Sequence, residues 1–345
     1  MNQFFTGIRV DFHDILSYMN YTPTLALFGL GRMGGQIARR LREKKFKVFA
    51  WNRSPKPVAE FKISGGFASS DIGEVVKKLD KYASLQGASV KVRKAQGAST
   101  QAKNPRIFWI MLPHGIVDDF LFGKDHLAPY LRKGDIIIDG GNSFYKDSMC
   151  RAIKLKKKGI HFFDSGTSGG VWGEKNGFAI MVGGPKEKWK YIEPIIKTLS
   201  SGDNYGYVGR AGAGHFTKMI HNGIEYGMME AIAEGYAVLN ASIFKPDLAL
   251  VTKIYQQGSV VRSWLIDLCR NIFEHENIAK TSGLIDATGE GEWTIKTGKE
   301  LGVDVRVIED AFKVRLESRN PKNQKKFSNK IVALLRKQFG GHKVH

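Results

Sequence analysis

The sequence of 345 residues is poor in cysteine, carries fewer acidic than basic side chains and contains no long apolar run. Its two cysteines, Cys150 and Cys269, are too few for a disulfide framework or a thiolate metal site. No stretch approaches the ~18 uncharged apolar residues of a membrane span. The first residues lack the basic and then apolar pattern of a secretory signal. We therefore expect a soluble, cytoplasmic protein.

The shortage of acidic side chains is local. The chain has 33 acidic residues against 53 lysines and arginines, a net charge of +20, and most of the excess lies in residues 77–106 and 313–345. Basic surfaces can bind nucleic acid. Neither segment shows an RNP, KH or zinc-finger pattern or stacking aromatics. A basic nucleic-acid-binding protein is therefore kept only as an alternative, and we expect no specific nucleic acid as partner; salt-sensitive contact with phosphate backbones stays open.

Short apolar runs alternate with helical patterns in the first half of the chain, whereas long helical patterns follow from Gly212. Such alternation indicates a parallel sheet covered on both faces. We predict an α/β Rossmann-like doubly wound domain followed by an all-α domain. The expected divisions are an N-terminal extension at 1–23, the Rossmann-like domain at 24–200, a helical substrate and dimerisation domain at 201–320 and a C-terminal tail at 321–345.

Residues 80–104 interrupt the first domain with a segment rich in Lys, Ala, Gly, Ser and Gln and without a sustained apolar period. This composition predicts a basic surface insertion. The sequence leaves its role open, and it also leaves open whether residues 1–18 belong to the native protein.

Gly29, Gly31 and Gly34 follow a predicted strand and open a predicted helix. At such a place the first glycine permits a tight turn, the second lets the backbone approach a pyrophosphate, and the third packs the helix against the strand. The amides and dipole at the start of the helix face the phosphates. The pattern predicts a dinucleotide site; a glycine-rich turn without function is the alternative.

The end of the second predicted strand bears on the choice of dinucleotide. NAD sites place an Asp or Glu there to bind the ribose 2′-hydroxyl. This chain has Asn52, Arg53 and Ser54, with Lys56 nearby. A guanidinium and a hydroxyl suit a phosphate. We expect NADP, with NAD as the second candidate and a solvated basic turn as the alternative interpretation.

Polar residues also follow two later strands, at 139–143 and 164–173, where open α/β sheets bind ligands. In the long helical pattern, Lys218, Asn222 and Glu225 are spaced so that they project from one helix face. A lysine and a carboxylate on one face usually form a solvated ion pair. The neighbouring Gly, His and Asn residues on an otherwise apolar helix favour a site instead.

The chain closely resembles the decarboxylating 6-phosphogluconate dehydrogenases from about Leu25 to His342, and its length is that of their shorter class. The resemblance is carried by Gly29-x-Gly31-x-Met33-Gly34, Asn52-Arg53-Ser54, Asp139-Gly140-Gly141-Asn142-Ser143, Ser168-Gly169-Gly170, Lys218-x-x-His221-Asn222-Gly223-Ile224-Glu225-Tyr226 and the tail 336–342.

The resemblance implies oxidation of 6-phosphogluconate at C3 with reduction of NADP, loss of C1 as carbon dioxide and release of ribulose 5-phosphate, a step of the pentose phosphate pathway. By analogy Lys218 takes the proton of the 3-hydroxyl and later returns it, and Glu225 protonates C1 of the enediol. A base lysine must be neutral near pH 7 and an acid glutamate must be protonated. No metal is expected, since a β-keto acid decarboxylates once its carbonyl is polarised.

The resemblance also assigns binding roles. His221, Asn222 and Asn142 would orient the substrate hydroxyls. Ser168, Gly169 and Gly170 would hold its carboxylate, and Tyr226 and Arg315 match positions that contact its phosphate. The dinucleotide contacts would be Gly29, Gly31, Met33, Gly34, Asn52, Arg53, Ser54 and Asn142.

In the family, a C-terminal arginine and histidine reach the site of a neighbouring subunit. We therefore expect Arg336 and His342 to complete the site in trans in a homodimer or homotetramer. Thr288 stands where the long enzymes carry a lysine that contacts the phosphate, which leaves that contact open, with Arg262 as a candidate replacement.

The nearest enzymatic alternative is a related β-hydroxyacid dehydrogenase that oxidises without decarboxylating. Such an enzyme would share the glycine motif and the helix lysine. It would not be expected to carry Glu225 or the Arg336 and His342 tail.

Overall fold

The computed structural model describes residues 24–88, 104–287 and 289–344. The extension at 1–23, residues 89–103 of the predicted insertion and Thr288 lie outside the described residues. The insertion was expected to begin at residue 80, but helix α3 continues to Ala88. That expected start was wrong.

The first half of the chain forms an eight-stranded sheet. Its strands are β1 Thr24–Phe28, β2 Lys47–Trp51, β3 Phe67–Ser69, β4 Ile107–Ile110, β5 Ile136–Asp139, β6 His161–Ser168, β7 Phe178–Gly183 and β8 Ser200–Gly209. Their spatial order is β3-β2-β1-β4-β5-β6-β7-β8. Strands β1 to β6 are parallel, β7 is antiparallel to β6, and β8 is parallel to β7. The parallel part has the Rossmann strand order, which confirms the predicted fold class.

Helices cover both faces of the sheet. They are α1 Arg32–Glu43, α2 Pro55–Ile63, α3 Ile72–Ala88, α4 Val117–Phe122, α5 Tyr145–Lys156, α6 Gly173–Asn176 and α7 Trp189–Leu199. Successive residues of a strand point to opposite faces, and in β1 Leu25 and Leu27 belong to one buried cluster while Ala26 and Phe28 belong to another. The central strands β1, β4 and β5 are almost entirely apolar because both faces of the sheet are covered there.

The last strand, β8, begins at Ser200, at the boundary that we predicted for the first domain, and continues to Gly209. Because β8 pairs with β7, it belongs to the sheet. The predicted boundary therefore falls before the end of the sheet. The polar composition of β8, which includes Asp203 and Asn204, concealed an edge strand.

Helices follow from Ala213 onward. They are α8 Ala213–Ala241, α9 Leu248–Gln256, α10 Trp264–His275, α11 Gly289–Glu300, α12 Arg306–Glu317 and α13 Phe327–Gly340. Ile331 and Leu335 of α13 are fully buried in one cluster with Met229 and Cys269. The segment at 321–345 is therefore a packed core helix with a short end, and not the tail that we expected. No helix among the described residues is long and apolar enough to cross a membrane.

Helix α8 is fixed to the sheet by the carboxylate of Asp164 in β6. The backbone amides of Gly212 and His215 donate to its two oxygens at 2.6 and 2.7 Å. The helix can approach the strand because Gly166 has no side chain. A Cβ at this position would lie 2.4 Å from the Cβ of Lys218. These contacts set Lys218 against the end of the sheet.

Candidate active site

A cavity of about 770 Å³ lies between the carboxyl ends of the sheet strands and the helical half. The residues predicted for the site that line it are Met33, Asn142, Ser168, Gly169, Gly170, Lys218, His221, Asn222, Glu225, Tyr226, Arg315, Arg336 and His342. The glycines of the dinucleotide motif and residues 52–54 are not part of its wall. The predicted residues therefore fall into two groups, one in the cavity and one along the adjoining loop.

The glycine loop between β1 and α1 is built by close backbone contacts. Gly29 has a φ of +107°, and a Cβ there would lie 2.4 Å from the carbonyl oxygen of Met111. A Cβ on Gly34 would lie 1.9 Å from the carbonyl oxygen of Gly29. In contrast, a Cβ on Gly31 would meet nothing within 4 Å. The protein leaves open space where a pyrophosphate would approach, so the loop fits a dinucleotide.

Asn52 supports this loop from the end of β2. Its Oδ1 accepts a hydrogen bond from the backbone amide of Leu30 at 2.9 Å, and its Nδ2 donates to the carbonyl of Ser54 at 3.1 Å. The Arg53 and Ser54 residues are exposed beside it. The Asn52 side chain is therefore used to hold the loop. Arg53 and Ser54 are the neighbouring groups that could contact a 2′-phosphate.

The segment after β5 is held by the buried carboxylate of Asp139. It accepts hydrogen bonds from the Ser143 hydroxyl at 2.8 Å, from the Gly141 amide at 3.0 Å and from Nη1 of Arg151 at 2.9 Å. Asn142, at a φ of +52°, projects from this segment. Its Oδ1 accepts from the backbone amide of Thr167 at 3.1 Å. The amide of Asn142 therefore joins the ends of β5 and β6 at the cavity wall.

The Nζ atom of Lys218 donates to Oδ1 of Asn222 at 2.5 Å and lies 3.2 Å from Nδ1 of His221. His221 reaches back to β6, since its Nε2 lies 3.4 Å from the hydroxyl of Ser168, and its Nδ1 lies 3.8 Å from Oε2 of Glu225. Burial lowers the pKa of Lys218, against the opposing charges of Glu290 and Glu225. A lysine in this setting can act as a neutral base.

Positive side chains surround the other end of the cavity. The guanidinium of Arg315 lies 3.1 Å from the centre of the Tyr226 ring, and its Nη2 is buried without a hydrogen-bond partner in the described part of the chain. Burial lowers the pKa of Arg315 to about 10. Burial, with Arg336 and Arg32 nearby, lowers the pKa of His342 to about 4. This clustered positive charge suits a strongly anionic group.

Arg336 and His342 line the cavity of their own chain. The end of α13 is held there by the indole of Trp172, which donates to the carbonyl of Gln338 at 2.9 Å. The resemblance predicted that these two residues act in a neighbouring subunit. In this structure a single chain already brings them to the cavity of Lys218, because α13 packs against α8 and the turn Gly170–Trp172. Thr288 is outside the described residues, and Arg262 does not line this cavity.

Two charged residues that line the cavity were missed in the sequence. Arg32, inside the glycine motif, donates from Nη1 to the carbonyl of Gly340 and so joins the loop to the end of α13. Glu290, in the glycine-rich stretch beside Thr288, accepts a hydrogen bond from Asn222. Both stand within motifs that we had identified, but only their neighbours in space show what they contact.

Two family models together match nearly all of the described chain. The NAD binding domain of 6-phosphogluconate dehydrogenase matches residues 24–209, and the 6-phosphogluconate dehydrogenase C-terminal domain matches residues 214–343.

Individual proteins agree with the family models. The Bacillus subtilis protein YqeC, provisionally named a 6-phosphogluconate dehydrogenase, is 38% identical over 92% of this chain and 98% of its own. The NAD(+)-dependent, decarboxylating 6-phosphogluconate dehydrogenase of Haloferax volcanii is 31% identical over 93% of this chain and 98% of its own. The solved 6-phosphogluconate dehydrogenase of Plasmodium falciparum superposes with a TM-score of 0.72 at 26% identity, over 86% of this chain and 62% of that longer one.

Proposed function

Because the chain belongs to the 6-phosphogluconate dehydrogenase family, we propose that it converts 6-phosphogluconate to ribulose 5-phosphate and carbon dioxide with reduction of NADP. Membership makes the chain an oxidoreductase with a domain that binds NAD or NADP. The observation that supports the specific reaction best is one cavity lined both by a lysine of lowered pKa and by buried arginines.

The two ends of the cavity suit the two ends of a phosphorylated sugar acid. The phosphate would lie against Arg315, Arg336 and His342, because Nη2 of Arg315 is buried and lacks a partner among the described residues. Arginine binds phosphate through paired N–H donors. The carboxylate would lie against the hydroxyl of Ser168 and the backbone of Gly169 and Gly170, which line the same cavity.

In this orientation the chain supplies the proton transfers. A nicotinamide nucleotide held by the glycine loop would supply the hydride acceptor for C3. Lys218, whose pKa is lowered by burial, takes the 3-hydroxyl proton and returns it to the carbonyl oxygen as the C1–C2 bond breaks and carbon dioxide leaves. Glu225 then donates a proton to the carbon that lost carbon dioxide, while the proton of the enediol hydroxyl returns to Lys218 and leaves the ketone of ribulose 5-phosphate. His221 and Asn222 contact the lysine and orient the hydroxyls.

The reaction is tested by a spectrophotometric assay with 6-phosphogluconate, combined with measurement of released carbon dioxide. We expect one carbon dioxide per nucleotide reduced, and little reaction with unphosphorylated gluconate because the arginine end would be unfilled. Reduction of the nucleotide without carbon dioxide would favour the β-hydroxyacid dehydrogenase alternative. Absence of any reduction would refute the proposal.

The preference for NADP is supported by Arg53, which is exposed beside the glycine loop where NAD sites carry a carboxylate. We expect a higher kcat/KM with NADP than with NAD. Arg53→Ala should reduce that ratio about 10-fold, the value of one charge-assisted contact. A kcat/KM for NAD equal to that for NADP in the unaltered protein would contradict the preference.

Self-association as a homodimer or homotetramer is the remaining part of the proposal. It is supported by apolar side chains that stand exposed on the helical half, among them Ile243 and Phe244 after α8 and Val260 after α9. Light scattering after size-exclusion chromatography tests it, and a monomer at micromolar concentration would contradict it.

A further inference from the structure

Glu290 is a second carboxylate in the cavity, and neither the resemblance nor the predicted catalytic set includes it. It is near the start of α11, which packs across from α8. Its Oε2 accepts a hydrogen bond from Nδ2 of Asn222 at 2.6 Å. The same Asn222 amide accepts from Nζ of Lys218 at 2.5 Å. Glu290 is therefore one amide away from the lysine.

The amide between them has a defined orientation. An amide side chain offers an acceptor on one side and two donors on the other. Ionised Glu290 can only accept, so it requires the NH₂ group of Asn222, and the carbonyl then faces the ammonium or amine of Lys218. The carbonyl oxygen also lies 2.9 Å from Nδ1 of His221. Without Glu290 the NH₂ group would lose the acceptor that holds it, and the amide could turn to present that group to Lys218, where an acceptor is needed.

We propose that Glu290 is a positioning residue for proton transfer at Lys218: it fixes the Asn222 amide that holds the amino group, and its negative charge stabilises the protonated lysine formed during the reaction. The proposal rests on the proposed function, in which Lys218 is the base.

The charges around Lys218 and Glu290 determine in which direction a change at Glu290 shifts the pKa of Lys218. Lys218 faces His221 and Glu225 on its own helix and Glu290 on α11, while β6 presents only uncharged Thr167 and Ser168. Glu225 and His215 are further titratable neighbours of Glu290. Burial raises the pKa of Glu290, and the Lys218 charge and the Asn222 hydrogen bond oppose that rise. Since Glu290 raises the pKa of Lys218 against burial, removing its charge should lower that pKa further.

The arginines of the cavity, Arg32, Arg315 and Arg336, with His342, complete its charged lining. The charged groups that act most strongly on Lys218, Glu290 and Glu225, stand on α11 and α8.

Helix α11 does not depend on Glu290 for its place. The hydroxyl of Thr294, one turn later, donates to the carbonyl of Met219 in α8 at 2.9 Å. A Cβ on Gly223 would lie 2.6 Å from the side chain of Thr294, so the helices are already in close contact there. A substitution at Glu290 should therefore leave the two helices packed.

The first experiment needs no substrate. Competitive labelling of the full-length protein with acetic anhydride at a series of pH values gives the pKa of the Lys218 amine. In Glu290→Gln we expect that pKa to fall, because the opposing charge is gone while the hydrogen bond to Asn222 can still form. Glu292→Gln, an exposed change two residues away on α11, is the control and should leave the pKa unchanged. Equal values in Glu290→Gln and the unaltered protein would overturn the proposal.

The second experiment measures turnover of 6-phosphogluconate against pH. Glu290→Ala should lower kcat about 100-fold with a smaller change in KM, because the amino group is no longer held in place. Glu290→Gln should recover to within about 10-fold of the unaltered enzyme, with the acidic limb of its profile moved to lower pH. Full activity in Glu290→Ala would overturn the proposal. So would complete loss in Glu290→Gln, which would make the carboxyl itself a reacting group.

The two experiments separate the two proposals. If the unaltered enzyme fails to turn over 6-phosphogluconate while labelling shows the expected fall in the Lys218 pKa, the proposed function is wrong and the Glu290 effect stands. If turnover is normal and labelling shows no fall, the proposed function stands and the role of Glu290 is wrong.

Discussion

The glycine loop and the arginine end of the cavity are both suited to phosphates, yet they are built in opposite ways. The loop offers backbone amides and open space at Gly31, with close backbone contacts at Gly29 and Gly34. The arginine end offers buried side chains, Arg315 and Arg336, whose burial lowers their pKa values. The loop is defined by consecutive residues, whereas the arginine end is assembled from side chains of two helices, α12 and α13. The first kind of site can be identified in a sequence, and the second becomes visible only when the helices are packed.

The largest effect is expected when the catalytic lysine is replaced and both phosphate sites are left intact. Lys218→Met should lower kcat by about 10³-fold or more, since it deletes the only base that contacts the reacting hydroxyl in the proposed mechanism. The affinity for NADP, measured by fluorescence of the reduced nucleotide, should stay nearly unchanged because the glycine loop lies apart from the lysine. Retained turnover would refute the role of Lys218, and lost nucleotide binding would show that the two regions are not separable.

The second test weakens the arginine end alone. Arg315→Ala should raise the KM for 6-phosphogluconate about 30-fold, the cost of a charge-assisted contact to phosphate, and leave the KM for NADP nearly unchanged. Arg306→Ala, a change to an exposed arginine on the same helix, is the control and should alter neither value. A rise in the KM for NADP with no change for 6-phosphogluconate would reverse the assignment of the two regions.

The third test divides the glycines of the loop. Gly31→Ala should weaken NADP binding about 10-fold, because a methyl group enters the space near the pyrophosphate, while the melting temperature stays the same. Gly34→Ala should lower the melting temperature as well, because its Cβ would lie 1.9 Å from the carbonyl oxygen of Gly29. Equal melting temperatures for the two variants would show that the contact at Gly34 is easily relieved.

The smallest effect concerns pH. Burial raises the pKa of Glu230 in α8 to about 7. The folded state therefore holds this proton more tightly than the unfolded state, and stability from this group is lost as pH rises from the ordinary carboxyl pKa through 7. From pH 5 to pH 8 the free energy of unfolding of Glu230→Gln should fall less than that of the unaltered protein. The two decreases should differ by up to about 3 kcal/mol. Urea denaturation at both pH values measures it.

The exposed Glu317→Gln is the control and should follow the unaltered protein. If Glu230→Gln also follows it, Glu230 titrates normally and the helical half has no such pH dependence.

The sequence predicted those parts of the molecule that depend on consecutive residues. The glycine motif predicted a tight loop between β1 and α1, and the spacing of Lys218, Asn222 and Glu225 predicted one helix face, which the cavity confirms for their common location. Their catalytic roles remain proposals. The motifs together predicted the family that the comparisons establish.

Features that depend on packing could not be predicted in the same way. Strand β8 begins with a polar run at the edge of the sheet, and only Tyr205 and Tyr207 pack against the core, so most of its residues were assigned outside the first domain. The basic residues of α13 concealed its buried face, which includes Ile331 and Leu335. The roles of Arg32 and Glu290 depend on partners far away in the chain, Gly340 and Asn222. A single sequence gives no information about such pairs.

Strand β6 sets the spacing of three residues that position the cavity. Asp164, Gly166 and Ser168 occupy every second position of this strand and so face the same side of the sheet. Asp164 accepts a hydrogen bond from the start of α8, Gly166 leaves space for Lys218, and the hydroxyl of Ser168 contacts His221. Pairing with β5 and β7 fixes this alignment. Inserting one residue between Ile160 and Asp164 would turn all three away from α8. An enzyme could thus keep each of its site residues in the sequence and still lose the site through an error of spacing.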